Sequence, residues 1–309
     1  MSKVLQNRRR ETLAALLRVG ELESISPVLE SVKRIADDPN ADADQLAEAI
    51  RVDQGLAARV IKLANSAYYT VGRNKIHELR QAVVQLGFNS VKQLTMTAQV
   101  LDFMEDEGHE EWLPIDRFWA HSLACGLALA PLARRLGLPP EKDYFVIGFL
   151  HDIAKPVLCK YLPSKWIKVV ESHRRNRDAI RMEVEVFGIN HAEIGAWLLR
   201  MWRFPQEVFM AVGAHHHEGK GGGDLGLALV QANLLASVIM DTFPFGSRNR
   251  RRVSTQLARH GFTLQQINDL IDSIREEVLV TSEELELPLP DEIVEEANKA
   301  AKERDSLEE

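Results

Sequence analysis

Residues 54–67 read QGLAARVIKLANSA and place Leu56, Val60, Leu63 and Ala67 on one face of a helix. Just before it, Leu46, Ala49 and Ile50 share a face, with Asp42 or Asp44 marking the start. The same period recurs outward in both directions. Helices are predicted near 78–86, 89–104, 115–136 and 142–159, with Asn89 as a candidate N-cap. Asn190 and Glu193 make a capping-box-like start that sets His191 in the first turn of another helix. Pro205 suits the first residue of the next, with Gly219 available to end it. Further helices are predicted over 226–241, 264–280 and 290–304. The best strand candidate is the short run VLVTS at 278–282. The predicted fold class is therefore all-α.

Composition agrees. Apolar residues make up 45% and charged residues 27% of the 309, the balance of a globular chain. Aromatics are only 6%, while Ala and Leu are plentiful, which favours helix over strand. No stretch approaches the roughly 18 uninterrupted apolar residues of a membrane span. The opening MSKVLQNRRRETLAALLRVG is broken by Arg18, is followed by Glu21 and lacks a small-residue cleavage site, so it reads as an amphipathic helix. Cys125 and Cys159 are the only cysteines, which points to a reducing cytoplasm. The net charge is −7, and residues 282–309 carry eleven acids against three bases, leaving the rest at about +1. A near-neutral body with an acidic tail argues against general nucleic-acid binding. The short basic run at 248–252 reads as a solvated loop. Linkers are predicted at 105–111, 219–224 and 244–249, and the tail from Ser282 as a weakly docked or mobile segment.

The histidines carry the chemical signal. They stand in order: His121 in RFWAHSLA, His151–Asp152 in GFLHDIAK, His191 in NHAEIGAWLL and His215–His216–His217 in AVGAHHHEG. A lone histidine beside a tryptophan is ordinarily a packed core residue, and an adjacent His–Asp pair is common by chance. The ordered set on consecutive helices is what points to a metal, because imidazole nitrogens with a carboxylate suit zinc, iron or manganese. Adjacent residues on a helix point about 100° apart, so His151 and Asp152 would face one pocket from its edge. Asp152 could then bridge two ions while His151 binds one.

This order of motifs resembles the HD superfamily of metal-dependent phosphohydrolases, and the rest of the chain resembles its HDOD branch over roughly residues 20–240. The resemblance is carried by IHELRQAVVQLGFNSVKQL, FWAHSLACGLALAPLA, YFVIGFLHDIAKPVL, the Asn65–Ser66 pair and the MWRFP segment. It implies an all-helical bacterial signalling protein of a family regarded as non-catalytic. It also implies metal positions at His121, His151, Asp152, His191, His215 and His216, with His216–His217 as the other register of the pair. Lys155 matches the lysine that follows HD in relatives cleaving cyclic dinucleotides, and would be the catalytic phosphate contact if the chain were an enzyme.

Three positions depart from the pattern. Gln54 replaces a more usual proline and should alter only a turn. Asn233 stands where the enzymes carry a final metal-binding aspartate, and Arg117 where three-metal relatives carry a glutamate. Two divalent ions would bring four positive charges against the one negative charge of Asp152, which is costly in a partly buried site. The expectation is thus a two-lobed helical bundle: an N-terminal lobe over 1–105, an HD-like bundle over 106–280 and an acidic tail over 281–309. Its expected role is to bind a signalling protein, a nucleotide or a divalent metal without turnover, with a homo-oligomer open. The alternative is a metal-dependent phosphohydrolase acting on a nucleotide or cyclic dinucleotide.

Overall fold

A computed structural model describes residues 2–21, 27–70, 74–104, 112–139, 143–174, 178–202, 204–216, 222–240, 246–259 and 261–295. Among these residues every regular element is helical. The order is α1 (Lys3–Glu21), α2 (Pro27–Ala36), α3 (Ala43–Arg51), α4 (Gln54–Ala64), α5 (Ala67–Thr70), α6 (Leu79–Leu86), α7 (Phe88–Met104), α8 (Ile115–Arg135), α9 (Tyr144–Phe149) and α10 (Ala154–Tyr161). It continues with α11 (Pro163–Arg174), α12 (Ala179–Phe187), α13 (His191–Met201), α14 (Gln206–Ala214), α15 (Gly223–Ile239), α16 (Gly246–Arg259) and α17 (Leu264–Leu285).

Local chemistry sets the boundaries. Asp42 and Gln45 form a reciprocal capping box on α3, as Asn190 and Glu193 do on α13 and Thr263 and Gln266 on α17. Asn65 ends α4, and its buried amide clamps the chain beyond it. Its Oδ1 accepts from the Ile76 N–H at 2.8 Å, and its Nδ2 donates to the Ile76 carbonyl at 2.7 Å. That clamp ties the end of α4 to the segment leading into α6. The core stripes of α3, α4, α6 and α7 close on one another around Leu46, Ile50, Leu56, Leu63 and Leu94.

The centre of the molecule is α8. Thirteen consecutive residues, Phe118 through Ala130, are buried, and Leu132 and Ala133 continue the run past Pro131. A helix apolar on all sides must be surrounded, and α9, α15 and α17 pack around it. Glycine sets the closest crossing. A Cβ on Gly148 of α9 would lie 2.5 Å from the Cys125 carbonyl oxygen, and one on Gly126 of α8 would lie 2.9 Å from the Phe145 carbonyl oxygen. Only residues without a Cβ let the two backbones approach this closely.

One apolar cluster runs from Val32 to Val278 through α8 and α15, and a second gathers Leu16, Leu158, Trp166, Phe187 and Leu198. The turn at His151–Asp152 lies between them, with Ile153 in the first and Ala154 in the second.

Several expectations are corrected. The helix predicted over 142–159 is two helices, because 150–153 turns with 3₁₀-type bonds from Ile153 N to Leu150 O (3.1 Å) and from Lys155 N to Asp152 O (2.9 Å). VLVTS is not a strand but the last turns of α17, where Val278, Thr281 and Ser282 are buried. The linker predicted at 244–249 and the loop at 248–252 fall largely within α16, and α15 begins at Gly223 inside another predicted linker. Helix α7 starts at Phe88, so Asn89 is not its cap, and Pro205 is the cap of α14 rather than its first residue. The segment after α17 is docked as far as it is described: Leu287, Leu289 and Ile293 pack against the main cluster. The linker at 105–111, Gly219 and residues 296–304 of the last predicted helix lie outside the described residues.

Candidate metal centre

Four elements and one turn converge at the seam. His121 comes from α8, His151 and Asp152 from the turn between α9 and α10, His191 from the first turn of α13, and His215 and His216 from the end of α14. His217 lies outside the described residues. His151, Asp152, His191 and His215 are each no more than 2% exposed, and His216 is the most exposed of the imidazoles.

Two donor groups share Asp152. One comprises Asp152, His191, His215 and His216, and the other His121, His151 and Asp152. In the first, Asp152 Oδ1 lies 3.1 Å from His191 Nε2 and 3.5 Å from His215 Nε2. His191 Nε2 is in turn 3.3 Å from His215 Nε2 and 2.9 Å from His216 Nε2. In the second, Asp152 Oδ2 lies 3.3 Å from His151 Nε2 and 3.8 Å from His121 Nε2, and the two nitrogens are 3.3 Å apart. Bonds of about 2.0–2.1 Å to one ion put neighbouring nitrogens about 2.9–3.4 Å apart, so these nitrogen spacings match adjacent ligands.

The rings are aimed from behind. His151 Nδ1 donates to the Gly148 carbonyl at 2.7 Å, and His215 Nδ1 donates to the Val212 carbonyl at 2.7 Å. His191 Nδ1 lies 2.7 and 2.8 Å from the two carboxylate oxygens of Glu183, which also accepts the His191 backbone N–H at 2.8 Å. Each of these contacts commits Nδ1 and turns Nε2 toward Asp152, the arrangement that supports metal-ligating histidines. Glu183 was not among the residues singled out from sequence. Its only signal there is position: it sits four residues before the buried Phe187, on the covered face of α12. The left-handed Gly188 (φ 78°) then turns the chain back toward Asn190.

Electrostatics follow the same division. Burial pushes the His121, His215 and His216 imidazoles toward neutrality, His121 to about 3 and His215 to about 4. Burial also opposes charge on His151, but Asp152 and the nearby Cys125 thiol overcome it and raise His151 to about 10. Burial alone would raise Asp152, yet His151, Lys155 and His191 hold it ionised, well below the ordinary range. His191 is raised, with burial outweighed chiefly by Glu183.

The donor set fits a divalent cation, and the orphaned atoms say so. Asp152 Oδ1 accepts no hydrogen bond of good geometry, although three imidazole nitrogens, His191 Nε2 nearest at 3.1 Å, surround its side of the site. An anionic oxygen left in that state is costly unless a cation joins it. Lys155, a sequence candidate, sits on the other oxygen: its Nζ is 2.5 Å from Asp152 Oδ2. Asn233 faces the site as expected, with Oδ1 3.0 Å from His121 Nε2. Arg117, where three-metal relatives carry a glutamate, pairs its guanidinium with Glu292 at 2.8 Å. Its place one turn before His121 did not decide where its long side chain goes.

Comparison with known proteins gives the same frame. Over 204 residues the chain is 25% identical to an uncharacterized protein of Treponema pallidum (strain Nichols), a match covering 65% of this chain but only 38% of that protein. It superposes on a Shewanella amazonensis SB2B protein described as a candidate phosphohydrolase, with a TM-score of 0.67, 23% identity and coverage of 88% of this chain and 98% of that one. It also superposes on an HDOD domain protein of unknown function from Geobacter sulfurreducens, with a TM-score of 0.66, 21% identity and coverage of 85% and 93%. At such identities these superpositions establish the fold alone. The HDOD domain profile matches residues 22–218, more than half of the chain and all but one of the cluster's facing positions, so the chain belongs to the HDOD family.

Proposed function

We propose that this protein is a cytoplasmic regulatory module of bacterial signal transduction. It holds one divalent metal ion as a structural or sensing element and does not hydrolyse phosphate esters. The observation that carries the reading is the asymmetry at Asp152: buried Oδ1 faces only the imidazoles of His191, His215 and His216, while Oδ2 is already paired with the Lys155 ammonium. Iron, manganese and zinc all suit such a donor set. When bound, the ion would supply a fixed positive charge that ties α13 and α14 to the turn after α9.

Hydrolysis needs more than this. Water activation calls for a firmly held metal with an open position, and two-metal phosphatases add a second cation. Here the second group offers an amide at Asn233 instead of a carboxylate, and His121 Nε2 is spent on that amide. His151 and Asp152 are no more than 2% exposed, which leaves little room for a phosphate ester to reach them. A regulatory role instead uses the surface of the bundle to meet a signalling protein, with the metal setting the arrangement of the helices beneath it.

The phosphohydrolase reading keeps one observation in its favour: all the histidines of the pattern converge, and Lys155 stands beside them. The test is a pair of proteins, native and Asn233→Asp, assayed with manganese, iron and zinc on cyclic dinucleotides and nucleoside phosphates. The regulatory reading expects the native protein to be silent with every metal. Robust native turnover that Asp152→Ala abolishes would replace it with the enzyme.

A further inference from the structure

We infer that the Lys155 ammonium holds the place of a second metal ion, so that the centre admits a single divalent cation, and that this cation lies on the His191–His215–His216 side of Asp152. The inference rests on the metal-holding reading above and goes beyond it, since it fixes the number of ions, their position and the residue that limits them.

The geometry divides the cluster by the two oxygens of one carboxylate. On the Oδ1 side stand His191 and His215, both anchored through Nδ1, with His216 closing on His191. That oxygen is buried and faces imidazole nitrogens alone, His191 Nε2 at 3.1 Å and His215 Nε2 at 3.5 Å. On the Oδ2 side the cation is built in. Lys155 Nζ pairs with Oδ2 at 2.5 Å from one turn further along, and its side chain is only 25% exposed.

The remaining donors on the Oδ2 side are turned to other work. His121 Nε2 lies 3.0 Å from the amide oxygen of Asn233, so an ion on this side would have to compete with that contact. An ion placed on this side would meet a neutral amide and an ammonium.

Charge gives the same result. Asp152 and Glu183 contribute −2 and Lys155 +1, so with neutral imidazoles one divalent ion leaves +1 and two leave +3. Replacing Lys155 and restoring the acid at 233 would bring a two-ion site to +1, the same total that the native protein reaches with one. Two changes thus separate a one-ion centre from a two-ion centre, and both lie on the Oδ2 side.

The experiment counts metal. Full-length native protein, Lys155→Met, Asn233→Asp and the double variant are loaded with manganese or zinc, freed of excess, and measured by native mass spectrometry and elemental analysis. The native chain should carry one ion and the double variant two. His216→Ala should lose the native ion, while His121→Ala should keep it. Circular dichroism confirms that each variant is folded, and Lys155→Gln replaces Lys155→Met if that protein fails to fold. Two ions on the native chain, or one ion lost in His121→Ala and kept in His216→Ala, overturn the inference while leaving the metal reading intact. A second ion failing to enter the folded double variant also overturns it. No ion on the native chain overturns the metal reading and this inference with it.

Discussion

The crossing of α8 and α9 is where the site is most easily broken without touching a site residue. Gly148→Ala would introduce a Cβ 2.5 Å from the Cys125 carbonyl oxygen, 2.7 Å from Gly126 Cα and 2.8 Å from the Cys125 carbonyl carbon. Ordinary contact needs about 3.4 Å or more, so the helices must part by nearly 1 Å. All three neighbours are backbone and cannot rotate away. Overpacking of this kind costs about 1–3 kcal/mol and sometimes more, and with no flexible partner the upper end applies. In a domain of this size that lowers the thermal midpoint by about 6–12 °C. The displacement also separates His121 on α8 from His151 and Asp152 just beyond α9, so the cluster should loosen in the same variant. Gly137→Ala is the control: it has a positive φ of 70°, but no atom lies within 4 Å of its added Cβ, so it should lose only about 1 kcal/mol. Calorimetry with and without zinc reads both effects. A Gly148→Ala protein that melts with the native one would refute the close-packed crossing.

Three other expectations follow from particular residues. Burial raises Asp143 to about 6 against an ordinary 3.8, despite the Tyr69 hydroxyl and the Val146 N–H that donate to it. The folded state therefore favours the protonated acid, a stabilisation complete below about pH 3.8 and lost as pH rises through 6. Relative to native, Asp143→Asn should gain about 2–2.5 kcal/mol between pH 4 and pH 7, and parallel urea-melt stabilities would contradict this. Glu183→Gln keeps an acceptor for His191 but removes the charge and the paired contact, so metal affinity measured against a chelating dye should fall about 10–100-fold with the fold intact. Truncation after Leu285 removes Leu287, Leu289 and Ile293 from the main cluster, at about 1–2 kcal/mol each for half-buried side chains. The midpoint should drop by several degrees, whereas an unchanged midpoint would return the tail to the weakly docked segment read from its charge.

The helices were legible because their apolar period is strong and their caps are polar side chains at fixed offsets. Asn190 with Glu193 located the start of α13, and with it the place of His191. What sequence could not locate was structure without a local signature. The break at 150–153 contains no glycine or proline, and the run from Tyr144 to Cys159 is apolar enough to pass for one helix. Its cause is tertiary: the turn is held between two separate apolar clusters. Helix α16 opens with Gly246 and Ser247 and carries a run of arginines, which locally spells a loop; Val253 and Leu257, buried four residues apart, are the two positions that fix it as a helix. Glu183 looked like any surface acid, since a carboxylate that supports a histidine eight residues away leaves no motif. The Asn233 position was legible only through resemblance, and its contact with His121 shows why it matters.

The account's central claim concerns what Asp152 and its histidines hold, and X-ray absorption at the metal edge of the zinc- or manganese-loaded native protein tests it most directly. The predicted spectrum has three imidazole nitrogens and one carboxylate oxygen, at about 2.0–2.1 Å for zinc, and no heavy scatterer beyond them. A metal–metal distance of about 3.5–4 Å, the spacing of two-metal phosphatases, or a shell of oxygen without imidazole, would contradict it.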